Sequence, residues 1–224
     1  MGRTNITQRG LKAQSEVVST ILLIGISIAA VSIAYMWGLP LIEKGQSSNK
    51  IASAENTMGI IDAAISDVIR NGGQKSVDVN LDGSLEVSSQ ENSIMYRITT
   101  KKAGVATTEW VPMNEDDTFG ISYTPQNQTI AIYGADKSGV IVAKSTALGT
   151  GNEYTTEYRL TYRELDDTST KEGQKVMLAA RGNNKVLSGR HTLVINKDYP
   201  IISTTETSGL GGVLTTTQVF VTLS

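Results

Sequence analysis

The segment VVSTILLIGISIAAVSIAYMWGLPLI, from Val17 to Ile42, carries no charged side chain, and Glu16 and Glu43 bracket it. As a helix, these 26 residues would span about 39 Å at about 1.5 Å per residue, whereas the hydrocarbon core of a bilayer is about 30 Å thick. The aromatic side chains Tyr35 and Trp37 stand near its far end, where such groups commonly lie at headgroup level. The segment therefore predicts a membrane-spanning helix rather than a buried helix of a soluble core.

The residues before this segment indicate its orientation. Arg3, Arg9 and Lys12 precede it, and no acidic residue occurs before Glu16. Because positively charged flanks stay in the cytoplasm, we expect everything after Ile42 to lie outside the cell.

The composition excludes several function classes. The 224 residues include no Cys and one His, His191, and the formal net charge is -2. Disulfides, thiolate metal sites and multi-histidine sites are therefore excluded, and a nucleic-acid partner would need a basic surface. We find no nucleophile motif, phosphate-binding loop or dinucleotide fingerprint. We predict a protein that is not an enzyme, has no cofactor or metal, and carries His191 at the surface or at a strand end.

A short motif precedes the apolar segment. The stretch LKAQSEVV, residues 11–18, has a basic residue, a small residue and Gln, followed by a polar stretch that leads into the helix. This pattern resembles the class III signal of type IV pilins, and it looks most like that of archaeal pilins and archaellins. The resemblance covers roughly residues 9–45. It departs from bacterial pilins, which usually carry a glutamate deeper in the mature helix, because the only acid here is Glu16.

The resemblance implies processing and assembly. A prepilin peptidase would cleave between Ala13 and Gln14, and the apolar helix would stay on the mature chain. The protein would begin in the cytoplasmic membrane, pass to the pilus assembly machinery and polymerise with copies of itself into an extracellular surface filament, used for adhesion to a surface or a cell. Two alternatives stay open: an archaellin of a motility filament, and a membrane-anchored extracellular binding domain that does not polymerise.

Small residues recur at four-residue spacing within the helix. They form one pair, Gly25 and Ala29, and one stripe, Ala30, Ala34 and Gly38. This small-xxx-small pattern is typical of close contacts between membrane helices, and we predict that these residues are the assembly contacts. Small residues are also common in spanning helices generally.

A second helix is predicted after the apolar one. Pro40 should kink or break the first helix near Trp37-Gly38, and a polar stretch covers residues 43–50. Apolar residues then recur at three- and four-residue spacing, with Glu55, Asp62 and Asp67 off the stripe, and Gly72-Gly73 ends the pattern. The stripe should be covered by the downstream domain, and it consists of Ile51, Ala54, Met58, Ile61, Ile65 and Val68.

The rest of the chain has the period-two pattern of strands, as in Tyr158, Leu160 and Tyr162. It predicts an antiparallel sandwich or a partly open barrel, with Ser203–Thr217 as an exposed loop or linker. Other strand-like runs are Ser93–Thr100, Phe119–Thr124, Thr129–Tyr133, Gly139–Ala143, Lys175–Ala179, His191–Ile195 and the C-terminal Val219, Val221 and Leu223. The predicted fold is α+β: a cleaved leader (1–13), two helices (14–72) and an extracellular β-sandwich-like domain (73–224).

Three further features are candidate sites. Asp78, Asn80 and Asp82 match the opening of a calcium loop, but Ser89 occupies the position of the bidentate acid, so we favour a hairpin at Asp82-Gly83 and keep calcium as the alternative. Asn127 begins an Asn-Gln-Thr sequon and is predicted to be glycosylated. The acidic runs Asn114–Asp117 and Asp166-Asp167 are interpreted as solvated loops, with a surface ion site as the minority reading.

Overall fold

The computed structural model describes residues 6–101, 107–113, 131–132, 137–149, 153–198 and 201–224. One long helix, α1 (Ile6–Asn71), precedes a region made mostly of β strands. The chain divides into two compact units, one ending at Gly45 and the other starting at Gln46. The strands in the described ranges are β1 (Gln74–Leu81), β2 (Gly83–Ser88), β3 (Ser93–Lys101), β4 (Val111–Pro112), β5 (Ala131–Ile132), β6 (Gly139–Leu148), β7 (Glu153–Tyr162), β8 (Leu165–Asp166), β9 (Gly173–Ala180), β10 (Lys185–Val186), β11 (Gly189–Lys197), β12 (Ile201–Thr207) and β13 (Val213–Leu223).

The prediction of two helices is wrong, because α1 continues through Pro40 and through the polar stretch 43–50. Proline removes one backbone donor, the one that would reach Met36, while the surrounding turns keep their own hydrogen bonds. Half of the polar stretch consists of good helix formers (Glu, Lys and Gln) and half of poorer ones (Gly, Ser and Asn), so helix propensity does not decide the outcome there. Within it, Ser47 is buried and donates a hydrogen bond of 2.6 Å to the carbonyl oxygen of Lys101.

The amphipathic stripe on the second half of α1 is confirmed. Five of its six residues are buried, and Ile51 packs partly buried beside them. The helix ends where predicted, since Gly72 and Gly73 adopt positive φ angles of 72° and 81° that favour glycine. The Lys197 ammonium group donates to the carbonyl oxygen of Ile69 at 2.6 Å and so satisfies one of the last carbonyls of the helix.

The first sheet has the strand order β1-β11-β13-β9-β8-β5, with β12 also paired to β13. The prediction of a purely antiparallel arrangement is wrong here, because β13 runs parallel to β9 and β5 runs parallel to β8. The long stretch between β9 and β13 provides the crossover that a parallel pair needs. The interpretation of Ser203–Thr217 as a loop is also wrong: β12 pairs with β13 around a turn, Ser208–Gly212.

The second sheet is antiparallel and has the order β10-β2-β3-β7-β6-β4. The predicted strand is confirmed as β7, where Tyr158, Leu160 and Tyr162 are buried, but Arg159 and Thr161 between them are buried too, so burial does not alternate along this strand. The strand-like runs at residues 93–100, 139–143, 175–179 and 191–195 fall within β3, β6, β9 and β11, and Val219, Val221 and Leu223 lie in β13. The run 119–124 and most of 129–133 lie outside the described residues.

The predicted hairpin at Asp82-Gly83 is wrong, because the strands on either side belong to different sheets. β1 pairs with β11, whereas β2 pairs with β3. At Gly83 the backbone lies against the carbonyl oxygen of Arg97, where a Cβ would overlap it. Glycine thus lets β2 begin directly beside β3, and the chain passes from one sheet to the other at Asp82.

The buried face of α1 and the inner faces of both sheets form one hydrophobic core. Asn92, in the turn after β2, joins the sheets at one end: its side-chain oxygen accepts the N–H of Leu178 at 2.6 Å, and its amide donates to the carbonyl of Val176 at 2.8 Å. Asn92 has φ of 49°, a conformation that Asn tolerates better than most residues. The second half of α1 is therefore an integral part of the β unit.

Two carboxylates of α1 make polar contacts with tyrosines of β7. The Tyr162 hydroxyl donates to Asp62 Oδ1 at 2.8 Å, and Glu55 interacts with the Tyr158 hydroxyl. Both contacts can form together because the two separations are similar. Glu55 and Asp62 are seven helical residues apart, a rise of about 10.5 Å, and Tyr158 and Tyr162 are four strand residues apart, a rise of about 13 Å. Burial raises the pKa of Asp62 above its ordinary value, while the Tyr162 hydroxyl and Lys137 partly oppose the shift.

Gly139→Ala should destabilise the β unit. A Cβ there would overlap Asp62 Oδ1 and come within 3.2 Å of the Tyr162 ring, so the contact between α1 and β7 would have to open. We expect a loss of about 1–3 kcal/mol in the free energy of unfolding, measured by urea denaturation of the full chain in a mild detergent. Gly59→Ala is the matched control: it has open space on exposed helix and should stabilise by about 0.5–1 kcal/mol. If both substitutions changed the free energy of unfolding equally, the close contact at Gly139 would be contradicted.

Tyr162→Phe should destabilise the same unit by about 1.5–3 kcal/mol near neutral pH, because it leaves a largely buried carboxylate without its hydroxyl donor. Since the pKa of Asp62 is raised, the carboxylate gains its charge only as the pH rises through that value. The cost of the substitution should therefore grow with pH over this range and be smaller in acid. Tyr154→Phe, on the same strand, is the control, and a pH-independent cost for Tyr162→Phe would contradict the assignment.

Candidate functional site: the apolar half of the helix

The apolar segment of α1, residues 17–42, is almost wholly exposed. Every residue in it is exposed except Gly38, which is partly so, and Met36 and Trp37 show 73% and 76% of their surface. Soluble monomers rarely expose contiguous apolar patches larger than a few hundred Å². A segment of this length thus requires a cover that the rest of the described chain does not provide.

Two hydroxyl groups inside this segment are satisfied within the helix. The hydroxyls of Ser27 and Ser32 each donate to the carbonyl oxygen four residues earlier, in Leu23 and Ile28, at 2.8 Å. Such bonds are a common way for hydroxyl side chains to lie in an apolar environment, where unsatisfied polar groups are costly. The surface that this segment presents is therefore suited to lipid or to another apolar helix.

The predicted contact residues lie on two sides of the helix. At about 100° per residue, the pair Gly25 and Ala29 is centred about 160° around the axis from the stripe Ala30, Ala34 and Gly38. Among the described residues, no atom of another part of the chain comes within 4 Å of where a Cβ would stand on Gly25 or Gly38. Both small-residue faces are thus open to a neighbouring helix, and they point in nearly opposite directions.

The predicted cleavage residues Ala13 and Gln14 lie on α1, ahead of the exposed segment. Cleavage between them remains a prediction. By length and composition, α1 can cross a membrane, and a signal sequence near an N-terminus has the same properties. The helix therefore suggests membrane insertion or a signal sequence.

The calcium-like motif is not assembled as a loop. Asp78 and Asn80 lie on the exposed face of β1, where Asp78 Oδ1 accepts a hydrogen bond of 2.7 Å from the Thr192 hydroxyl. The backbone N–H of Asp82 donates instead to the Tyr96 hydroxyl at 2.9 Å. Within the described ranges, no three His, Asp or Glu side chains converge as metal ligands would.

Of the other predicted sites, two lie within the described residues and two lie outside them. His191 lies partly exposed in β11, and its Nε2 is 2.9 Å from the carbonyl oxygen of Leu187. Asn127 and the acidic run 114–117 lie outside the described residues. The interpretation of Asp166 as a solvated loop residue is wrong, because Asp166 is in β8 and only 1% exposed. A turn that is distant in sequence covers Asp166, and a local sequence pattern could not indicate this contact.

The outer face of the second sheet carries an ion-pair network. The Arg97 guanidinium binds Glu157 at 2.7 Å, and Arg159 binds Glu157 and Glu91, each at 2.9 Å. Burial alone would raise the pKa of Glu157, but the two guanidinium groups hold it below its usual value. Arg159 also lies 5.0 Å from the centre of the Trp110 ring. Met95 and Val142, which pair with Arg159 on this face, are buried, so the network lies on a largely covered side of the sheet.

Comparison with known proteins shows that the chain belongs to DUF7289, a family of unknown function whose model matches residues 12–183. No curated protein and no solved structure matches the chain. The matched range includes the apolar segment together with most of the strands, so the helix and the β region belong to one family architecture.

Proposed function

We propose that this chain is the subunit of an extracellular archaeal type IV pilus-like filament, assembled through the apolar half of α1. The observation that carries the proposal is an exposed, uncharged helical segment of 26 residues that begins shortly after the basic motif at Lys12-Ala13-Gln14. Two points support the proposal. The segment needs an apolar environment that covers it, and the motif resembles the signal of proteins that keep such a helix on the mature chain.

The hydrophobic free energy favours burial of the apolar segment both before and after assembly. Complete burial of a Val, Leu or Ile side chain stabilises by about 1.5–3 kcal/mol relative to water, and the segment carries more than ten such side chains. Lipid covers them before assembly, and the helices of other subunits cover them afterwards. Because both environments are apolar, a subunit moves between them with little net change in hydrophobic free energy.

The two small-residue faces support a polymer over a dimer. A two-fold dimer uses the same patch on both partners, whereas an open-ended assembly needs two different patches on each subunit. The pair Gly25 and Ala29 and the stripe through Ala34 provide two patches on nearly opposite sides. Each subunit can therefore contact neighbours on both sides through closely packed helices.

The β unit would form the outside of the filament. Its sheets bury their apolar faces together with the second half of α1, and β1 presents polar side chains such as Asp78 and Asn80 on its exposed face. Such a surface is suited to water and to contacts with a cell or a solid support. Adhesion is the role that we propose for it.

The decisive experiment is to shear surface material from cells, examine it by electron microscopy and sequence the N-terminus of the recovered chain. We expect fibres whose subunits begin Gln14-Ser15-Glu16-Val17-Val18. Recovery of the protein only from detergent-extracted membranes, still starting at Met1 or Gly2, would contradict the proposal and favour a membrane-anchored domain. Loss of swimming on deletion of the gene would identify the filament as an archaellin filament instead.

Ala34→Leu should reduce filament yield at least about tenfold while the precursor stays in the membrane. Leucine is favourable in lipid and position 34 is exposed in the subunit, but added bulk at a close helix contact typically costs about 1–3 kcal/mol, here repeated in each subunit. Ile33→Leu, an equally exposed and nearly isosteric change, is the matched control. The measurement compares sheared fibres with membrane-bound precursor, and normal fibres from Ala34→Leu would exclude this stripe as a contact.

A further inference from the structure

β1 is a long strand at one edge of the first sheet. It has eight residues, pairs with β11 in unbroken register and has no second strand partner among the described residues. The other strands that end the two sheets, β4, β5 and β10, have two described residues each, and β4 contains Pro112. Short edge strands and proline are common features that keep an edge from pairing with another chain. β1 has neither feature.

Half of the backbone groups of β1 point away from the sheet. Thr192 and Ser224 exchange two backbone hydrogen bonds, of 3.0 and 3.2 Å, on the side of β11 that faces β13. Because backbone hydrogen bonds alternate between the two sides of a strand, the residues next to Thr192 bond to β1, opposite Val77 and Val79. The residues that alternate with these valines therefore present their N–H and C=O groups to the open edge. All four are exposed, and they are Gln74, Ser76, Asp78 and Asn80.

The open edge of β1 is complementary to the same edge of a second copy. If two β1 strands run antiparallel about a two-fold axis beside Val77, they overlap along their full length. Gln74 then stands opposite Asn80 of the second copy, and Ser76 stands opposite Asp78. In this register the outward groups of these four residues form hydrogen-bonded pairs, so each outward N–H and C=O has a partner.

The exposed side chains favour this register over its neighbours. The Ser76 hydroxyl is a donor opposite the carboxylate of Asp78, which accepts the Thr192 hydroxyl at 2.7 Å and can accept a second hydrogen bond. A shift of two residues in one direction would set Asp78 opposite Asp78 of the second copy, and like charges directly opposite are destabilising. A shift in the other direction would leave the outward groups of Asn80 without a partner.

The side chains on the inner face also permit the pairing. Val77 would meet Val77 of the second copy, and Lys75 would stand opposite Val79. The Lys75 ammonium group binds Asp67 of its own chain at 2.6 Å. No positive charge of one β1 strand therefore faces a positive charge of the other.

We propose that β1 docks against β1 of a second copy, so that the first sheets of two chains join into one continuous sheet about a two-fold axis. Main-chain hydrogen bonds supply the attraction, as in other cases of strand addition. The proposal does not rest on the filament, because β1 belongs to the β unit. In a filament whose subunits all point the same way, a two-fold contact would join subunits of two neighbouring filaments.

The test uses single cysteines, since the chain has no Cys of its own. Gln74→Cys and Asn80→Cys are prepared as full chains in a mild detergent and oxidised separately and as an equal mixture. Hydrogen-bonded partners in an antiparallel pair have Cα atoms about 5.5 Å apart, a distance that a disulfide can span. Residue 74 of one copy would instead lie about 20 Å from residue 74 of the other, six strand residues away at about 3.4 Å each. The mixture should give at least about ten times more cross-linked dimer than either variant alone.

A proline at residue 76 tests the role of the backbone. The N–H of Ser76 points to the open edge, so Ser76→Pro keeps the hydrogen bonds to β11 and removes one bond to the added strand. Introduced into both cysteine variants, it should lower the yield of cross-linked dimer about tenfold, as expected for the loss of a hydrogen bond in each of the two symmetric positions. Ser76→Ala is the matched control and should retain the cross-link. Urea denaturation shows whether each variant is folded.

Three results would overturn the proposal. Absence of a cross-link in the mixture would show that a second copy does not occupy the edge. Equal cross-linking of the mixture and of the separate variants would show association without this register, for example through the apolar segments in a shared micelle. Efficient cross-linking of Gln74→Cys alone would indicate parallel strands. A failure to find fibres on cells would contradict the proposed filament and leave this result unchanged.

Discussion

The constraint on which the rest of the structure depends is the exposed apolar surface at residues 17–42. The hydrophobic effect allows no stable state in which so many aliphatic side chains stay in water. The same helix continues into the β unit, where its second half is buried against both sheets. One helix therefore meets two environments: the first half needs a cover from outside the described chain, and the second half has its cover in the fold.

Patterns that depend on neighbours in sequence were predictable. The three- and four-residue spacing of Ala54, Met58 and Ile61 predicts the buried face of α1, and the alternation in Tyr158 and Leu160 predicts β7, because both reflect local periodicities of the backbone. The end of the helix at Gly72-Gly73 was equally accessible, since glycine is suited to the positive φ angles found there.

Features set by distant contacts were not predictable in the same way. The loss of one backbone donor at Pro40 does not end the helix, because the turns on either side keep their hydrogen bonds, and the two predicted helices are one. The parallel pairing of β9 with β13 and the passage between sheets at Gly83 depend on which strands meet in space. Asp166 resembles a loop acid in sequence because its cover, the turn at residues 208–212, lies about forty residues away. For the candidate site, the sequence predicted the apolar segment, but only the structure showed that its side chains are exposed.

The contact at Gly139 has a consequence for how relatives of this chain diverge. The backbone of β6 approaches Asp62 so closely that a Cβ and this carboxylate cannot occupy the same space. Both positions fall within the range matched by the family model, so we expect a change at one position to constrain the other. A lineage that gains a side chain at the glycine position should have shortened the residue facing it on the helix, and the two changes should be inherited together.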